Sequence, residues 1–186
     1  MIILNYKNRK RVRKIMKKLN SKGFTLIELL AVITILGILM LVAIPAISRT
    51  IENSRKDTFM DTGKLYADAV RTAVSAEEVK CGTDYLSAAS GDKFYVWFCS
   101  KQNAGETCNT DLMQSGGKSS WKSRDVHGYV QIVKDTSGST IKYTYKVTMT
   151  DGAHGFALND IDDLGRADVT ELASVTQPDG TACVVE

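Results

Sequence analysis

The sequence predicts an α+β fold in which one long N-terminal helix packs against a small antiparallel β-sheet. Three observations carry this expectation. Residues 24–47 (FTLIELLAVITILGILMLVAIPAI) form an apolar run whose only charge is Glu28. Helical spacing of apolar residues continues beyond it, and strict alternation appears near residue 141. At 186 residues the chain is long enough for one domain with a real core and hardly for two.

The apolar run exceeds the roughly 20 residues that a helix needs to cross a bilayer. Residues 48–80 contain no proline and one glycine, Gly63. Apolar Ile47, Ile51, Leu65, Ala69, Ala73 and Ala76, flanked by Tyr66, Val70 and Val74, recur among Glu52, Arg55, Lys56, Asp57, Lys64, Asp68 and Arg71. A single helix is expected from Phe24 to about Lys80, apolar all round in its first half and amphipathic in its second. At 1.5 Å per residue it would measure about 85 Å. Cys81-Gly82 would end it, glycine supplying the left-handed conformation of many helix termini.

Strands follow. Lys93–Cys99 is β-branched and aromatic, and Gly128–Val133 is a second strand. Ile141, Tyr143, Tyr145, Val147 and Met149 alternate with Lys142, Thr144, Lys146, Thr148 and Thr150, so one face is expected to be buried and one wet. The turn residues 135–139 (DTSGS) should join the last two strands as an antiparallel hairpin. Asn109–Ser115 reads as a short helix. From Asp151 the tail is expected to be mostly loop, with a closing strand near Ala182–Val185.

Charge is segregated along the chain. Residues 1–23 hold nine of the 24 Lys and Arg and no Asp or Glu, so the remainder carries 15 basic against all 21 acidic groups, a net of −6. Such a balance fits a retained basic leader on an exported body, because segments flanking a membrane span on the cytoplasmic side are rich in Lys and Arg. It is no nucleic-acid footprint over the body, and no specific nucleic-acid partner is expected.

The junction Lys22-Gly23-Phe24-Thr25-Leu26-Ile27-Glu28 is the most specific signal. A basic leader, glycine, phenylalanine, a glutamate four residues on and a charge-free apolar helix occur in that order. This stretch, roughly residues 16–50, closely resembles the type IV prepilin family, which includes pilins, the pseudopilins of type II secretion and competence pseudopilins. The resemblance implies a pilin-like fold, cleavage between Gly23 and Phe24 by a prepilin peptidase, and N-methylation of Phe24. The leader would be residues 1–23, the membrane and filament-core helix residues 24–47, and the exported domain residues 48–186, with its sheet from about residue 81. A start at Met16 instead of Met1 would give a leader of the usual short, basic kind. An alternative cut by ordinary signal peptidase at Ala46-Ile47-Ser48 is disfavoured by the length of the preceding span and by Glu28 within it.

The resemblance also implies the partners: copies of the same or related subunits in a homopolymer, an inner platform protein, an assembly ATPase and the membrane. A carboxylate inside hydrocarbon is costly unless neutralised or paired, so Glu28 is the assembly candidate, its partner the Phe24 amine of a neighbouring subunit. Gly37 and Pro45 bracket Ile38–Ile44, a segment that melts and extends in some filaments of the family; a kink at Pro45 is the simpler expectation. Localisation would be single-pass membrane before assembly and surface filament after it. The alternatives are a secretion or DNA-uptake pseudopilin, and a membrane-anchored surface binding protein that does not polymerise.

Four cysteines, Cys81, Cys99, Cys108 and Cys183, all follow the apolar run, and none forms C-x-x-C. An even number in an exported domain points to two disulfides. Cys99 and Cys108 could close a local polar loop and leave Cys81 for Cys183, although four cysteines allow three pairings. Asp160, Asp162, Asp163 and Asp168 offer oxygen ligands for calcium, but the EF-hand pattern is unmet and a solvated loop is expected. Lys118, Lys122 and Arg124 flank Trp121, an aromatic among bases that could contact DNA, but the body is net acidic and Trp121 packed under a loop is the expected reading. His127 and His154 lie at no spacing that suggests a triad or a metal site. No cofactor is expected, and no motif points to an enzyme.

Overall fold

The computed structural model describes residues 23–82, 88–101, 108–110, 112 and 117–185. The chain divides between Ala46 and Ile47 into two compact units. The long helix α1 (Leu26–Ser75) contributes to both. In the first unit, every described residue of α1 is exposed.

In the second unit, α1 buries Phe59, Thr62, Gly63, Tyr66, Ala67, Val70, Ala73 and Val74. Their spacing of three and four residues defines one helix face. This stripe lies one position from the expected Leu65–Ala69–Ala73–Ala76 line, and Leu65 itself is exposed. The two aromatic side chains decide the rotation, because Phe59 and Tyr66 remove far more apolar area from water than Leu65 and Ala69 would.

The helix stops five residues before the expected end. Glu77 takes a left-handed φ of 60°. Its N–H donates to the Val74 carbonyl, and the Glu78 N–H donates to the Ala73 carbonyl. That pattern is a Schellman termination in which glutamate holds the place usually taken by glycine. Gly82 drew the expectation too far, because Val79–Cys81 is needed elsewhere.

Those three residues form β1, the first strand of a seven-stranded sheet in the order β1-β7-β2-β3-β4-β5-β6. The others are β2 (Lys93–Cys99), β3 (His127–Asp135), β4 (Lys142–Thr150), β5 (His154–Asp160), β6 (Thr170–Glu171) and β7 (Thr181–Val185). All pairings are antiparallel except β2 with β7, which makes the sheet mixed. The parallel pair arises because the C-terminal strand inserts between β1 and β2 instead of adding to an edge. The expected hairpin is β3–β4, opening at Asp135 opposite Lys142. Asp135 starts its turn by accepting from the Ser137 N–H and hydroxyl.

The tail is not mostly loop. β5 pairs along β4 with a register shift between Val147 and Met149, and it places Phe156 in the core. The alternation of β4 is also less one-sided than expected. Tyr145, Val147 and Met149 are buried toward the core, and Thr148 and Thr150 are buried as well. The Thr150 hydroxyl donates to the His154 and Leu172 carbonyls, so the chain after β6 closes over this end of the sheet.

The core lies between α1 and one sheet face. Tyr66 stacks on Phe98 at 4.0 Å, and Phe59 meets Trp121 and Phe156 edge-on at 5.5 and 5.7 Å. Gly63 permits this approach: a Cβ there would lie 2.3 Å from the Phe156 ring. The expected helix at Asn109–Ser115 falls largely outside the described residues. Of its start, Asn109 bridges to Phe98 as extended backbone.

Candidate functional site

The N-terminal junction is built from the backbone outward. Gly23, Phe24 and Thr25 precede the helix in non-helical conformation, and all three are exposed. A Cβ on Gly23 would meet nothing within 4 Å, and Phe24 is 89% exposed. The Gly23–Phe24 peptide bond therefore lies in accessible, non-helical backbone just before the start of α1. The expected leader before Gly23, Met16 included, lies outside the described residues.

Thr25 is the N-cap of α1. Its hydroxyl accepts from the Glu28 N–H at 3.3 Å. The Thr25 N–H and hydroxyl each donate to Glu28 Oε2 at 2.8 Å. This reciprocal arrangement is a capping box, T-x-x-E, and it satisfies donors that a helix start leaves unpaired. The sequence reading cast Glu28 as an assembly candidate and missed this local role, for which the Thr25-x-x-Glu28 spacing was the available signal.

Beyond Glu28 the helix exposes Leu29, Leu30, Val32, Ile33, Ile35, Leu36 and most of the large apolar residues up to Ile47. By length and composition α1 is able to cross a membrane. The one hydroxyl in its middle, Thr34, donates to the Ala31 carbonyl and so carries no unpaired donor into an apolar medium. Pro45 lies inside the continuous helix and cannot donate to the Leu41 carbonyl. Gly37 has no neighbour within 4 Å of a built Cβ. Glycine and proline are poor residues for a helix interior, yet α1 runs unbroken through both positions.

The cysteines form two bridges, Cys81–Cys183 and Cys99–Cys108. The first links residues directly opposite in the β1–β7 register. The acidic stretch is strapped to α1 by charge pairs. Arg166 makes a bidentate pair with Asp57 at 2.7 and 2.6 Å, and Lys56 donates to the Val169 carbonyl at 3.0 Å. Asp162 lies 3.6 Å from Arg71. Asp160 accepts from the Asp162 N–H, Asp168 accepts from the Gly165 N–H, and Asp163 is exposed. Among the described residues, no three His, Cys, Asp or Glu side chains gather where they could hold a metal.

Trp121 is buried under its loop, stacked on His154 at 4.0 Å, with its indole N–H 3.4 Å from Glu52. It is thus unavailable to stack on a base, and two of its basic neighbours are paired, Lys118 with Asp125 and Arg124 with Asp151. Asp151, read from sequence as the start of a loop, is an anchor whose side chain is fully buried. It accepts from the Ser119 hydroxyl at 2.6 Å, the His154 N–H at 2.7 Å and the Ala153 N–H at 2.9 Å. Burial pushes its carboxyl upward, but these donors outweigh that effect and hold it below the usual carboxylate range.

The chain matches no curated protein and no solved structure. Residues 18–44 match the family described as the prokaryotic N-terminal methylation motif. This segment contains the exposed Gly23–Phe24 bond, the Thr25–Glu28 cap and the first part of the apolar helix. It marks the N-terminal region of this chain as type IV prepilin-like.

Proposed function

We propose that the chain is a structural subunit of a type IV pilus-like filament. Prepilin peptidase cleaves it between Gly23 and Phe24 and methylates the new Phe24 amine. Residues 24–47 hold the processed subunit in the membrane and then pack with copies of themselves in the filament core, drawn there by a platform protein and an assembly ATPase. Residues from about 81 onward form the outer surface at the cell exterior.

The single observation that carries this reading is the accessible Gly23–Phe24 bond joined to an exposed apolar helix that begins with a carboxylate. A helix with that much exposed apolar surface needs lipid or other helices around it. Glu28 serves twice in this scheme. In the single chain it caps its own helix. In the filament it neutralises an ammonium group, that of Phe24 on a neighbour, and thereby sets the stagger between helices. Gly37 and Pro45 let Ile38–Ile44 extend during assembly.

Mass spectrometry of the mature protein tests the processing step, with N-methyl-Phe24 expected as the first residue. Electron microscopy of sheared surface material, with the protein identified in it, tests the filament. A mature N-terminus at Ser48 or beyond would refute the processing scheme, and absence of the protein from every filament preparation would refute the structural role.

A further inference from the structure

The sheet face turned away from α1 carries a cleft of about 580 Å³. That volume lies within the range of small-molecule sites, roughly 300–1,000 Å³. Its origin can be read from strand register. Tyr95 on β2 lies directly beside Ala182 on β7. The small alanine leaves open the space that a larger residue would fill. Tyr95 and Trp97 supply aromatic surface, and Gln177 stands on the segment between β6 and β7 that crosses this face. Gln131 donates from β3 to the Asp179 carbonyl at 3.3 Å and ties that segment down.

The opposite wall is fixed as firmly. Asn109 donates to the Trp97 carbonyl at 2.9 Å and accepts from the Val185 N–H at 3.4 Å, bracing the wall against both β2 and β7. Both disulfides reach the cleft, through Cys99–Cys108 and through Cys183. Trp97 is held edge-on by Tyr129 at 5.3 Å and Tyr95 at 6.3 Å. A site so constrained loses little conformational freedom when it is filled.

We propose that this cleft binds a neutral saccharide. Among the described residues that line it, none is Asp, Glu, Lys or Arg. An anionic ligand would require a basic partner, and none of the described lining residues supplies one. A quaternary ammonium would require rings on several sides, whereas the Tyr, Trp and Phe rings here all stand on β2. Aromatic surface suits the C–H face of a sugar ring. The Gln177 amide, the Tyr95 hydroxyl and the His127 imidazole offer donors and acceptors together, as a row of hydroxyls demands. The inference concerns the second unit alone and holds whether or not the chain polymerises.

The test uses the full chain in a detergent without a sugar headgroup, applied to an array of neutral, sialylated and sulfated glycans. Retention on neutral glycans is expected. The retained glycan is then titrated into ¹⁵N-labelled protein, which has two indole N–H signals, from Trp97 and Trp121. The Trp97 signal should move and that of buried Trp121 should not. Trp97→Ala should weaken binding roughly tenfold or more. Gln177→Ala, at an exposed position outside the core, should weaken it several-fold with an unchanged thermal midpoint, and it serves if the tryptophan variant fails to fold. Retention of no neutral glycan, preference for charged glycans, movement of Trp121 alone, or full binding by Gln177→Ala would each overturn the proposal.

Discussion

Replacing Cys81 and Cys183 together by serine tests what holds the C-terminal strand in the sheet. The bridge spans 102 residues, and β1 contributes only three register pairs to β7. In the chain-entropy treatment a closed loop of this length restricts the unfolded ensemble by about 4.7 kcal/mol at 25 °C. The Cys99–Cys108 bridge lies within the loop and shortens its effective length by only its own separation of 9 residues, which changes the logarithm little. Alone, that short bridge is worth about 2–3 kcal/mol by the same relation. The long bridge should therefore dominate, and its loss should remove a large share of a typical domain stability of about 5–15 kcal/mol. Guanidinium unfolding of wild type, Cys81→Ser/Cys183→Ser and Cys99→Ser/Cys108→Ser, all in the same detergent, measures both. A loss below about 1 kcal/mol for the long bridge, or a larger loss for the short one, would refute chain restriction as its contribution. Peptide mapping that returned a Cys81–Cys99 bond would remove the premise.

Three further outcomes are expected. Asp151→Asn should cost about 1.5–3 kcal/mol at pH 7, since it removes a charged acceptor from three donors. The carboxyl is held below its unfolded value near 3.9, so its contribution is present above about pH 4 and is lost as pH falls through the lower folded value. The gap between wild type and the Asp151→Asn variant in pH-dependent urea unfolding should accordingly narrow below about pH 4, and a gap independent of pH would refute the anchor. Gly63→Ala should destabilise the second unit by about 1–3 kcal/mol, because the methyl group meets the buried Phe156 ring; an unchanged thermal midpoint would show that the ring moves at no cost. Glu28→Gln keeps an acceptor for the Thr25 N–H but removes the charge, whereas Glu28→Ala removes both. Both should insert and be processed, and on the proposed pairing both should fail to yield sheared surface filament, because the neighbour's Phe24 amine would lose its counter-charge. Normal filament from the glutamine variant would reduce Glu28 to a helix cap.

The sequence alone determined the features that repeat or stand next to one another along the chain. The apolar run, the basic segment before it, the Gly23-Phe24-x₃-Glu28 order and the period-two alternation of β4 are local patterns, and each was legible without a partner. The amphipathic continuation of α1 was legible too, but its rotation was not, because counting apolar positions weighs Ala69 and Tyr66 alike while burial does not. Tertiary structure decided what depends on distant partners. Glu77 accepts a left-handed φ, and α1 ends early, because Val79–Cys81 gains a strand partner and a disulfide 102 residues away. β7 runs parallel to β2 because insertion between two strands satisfies both of its edges, a gain no local pattern encodes. Asp151 looked like a loop residue and became a buried anchor because Ser119, from another loop, was folded against it. The cleft on the outer face was likewise invisible, since it exists only where Ala182 comes to lie beside Tyr95. Hydrophobic periodicity is written in neighbouring residues; termination, strand order and cavities follow from which remote segments meet.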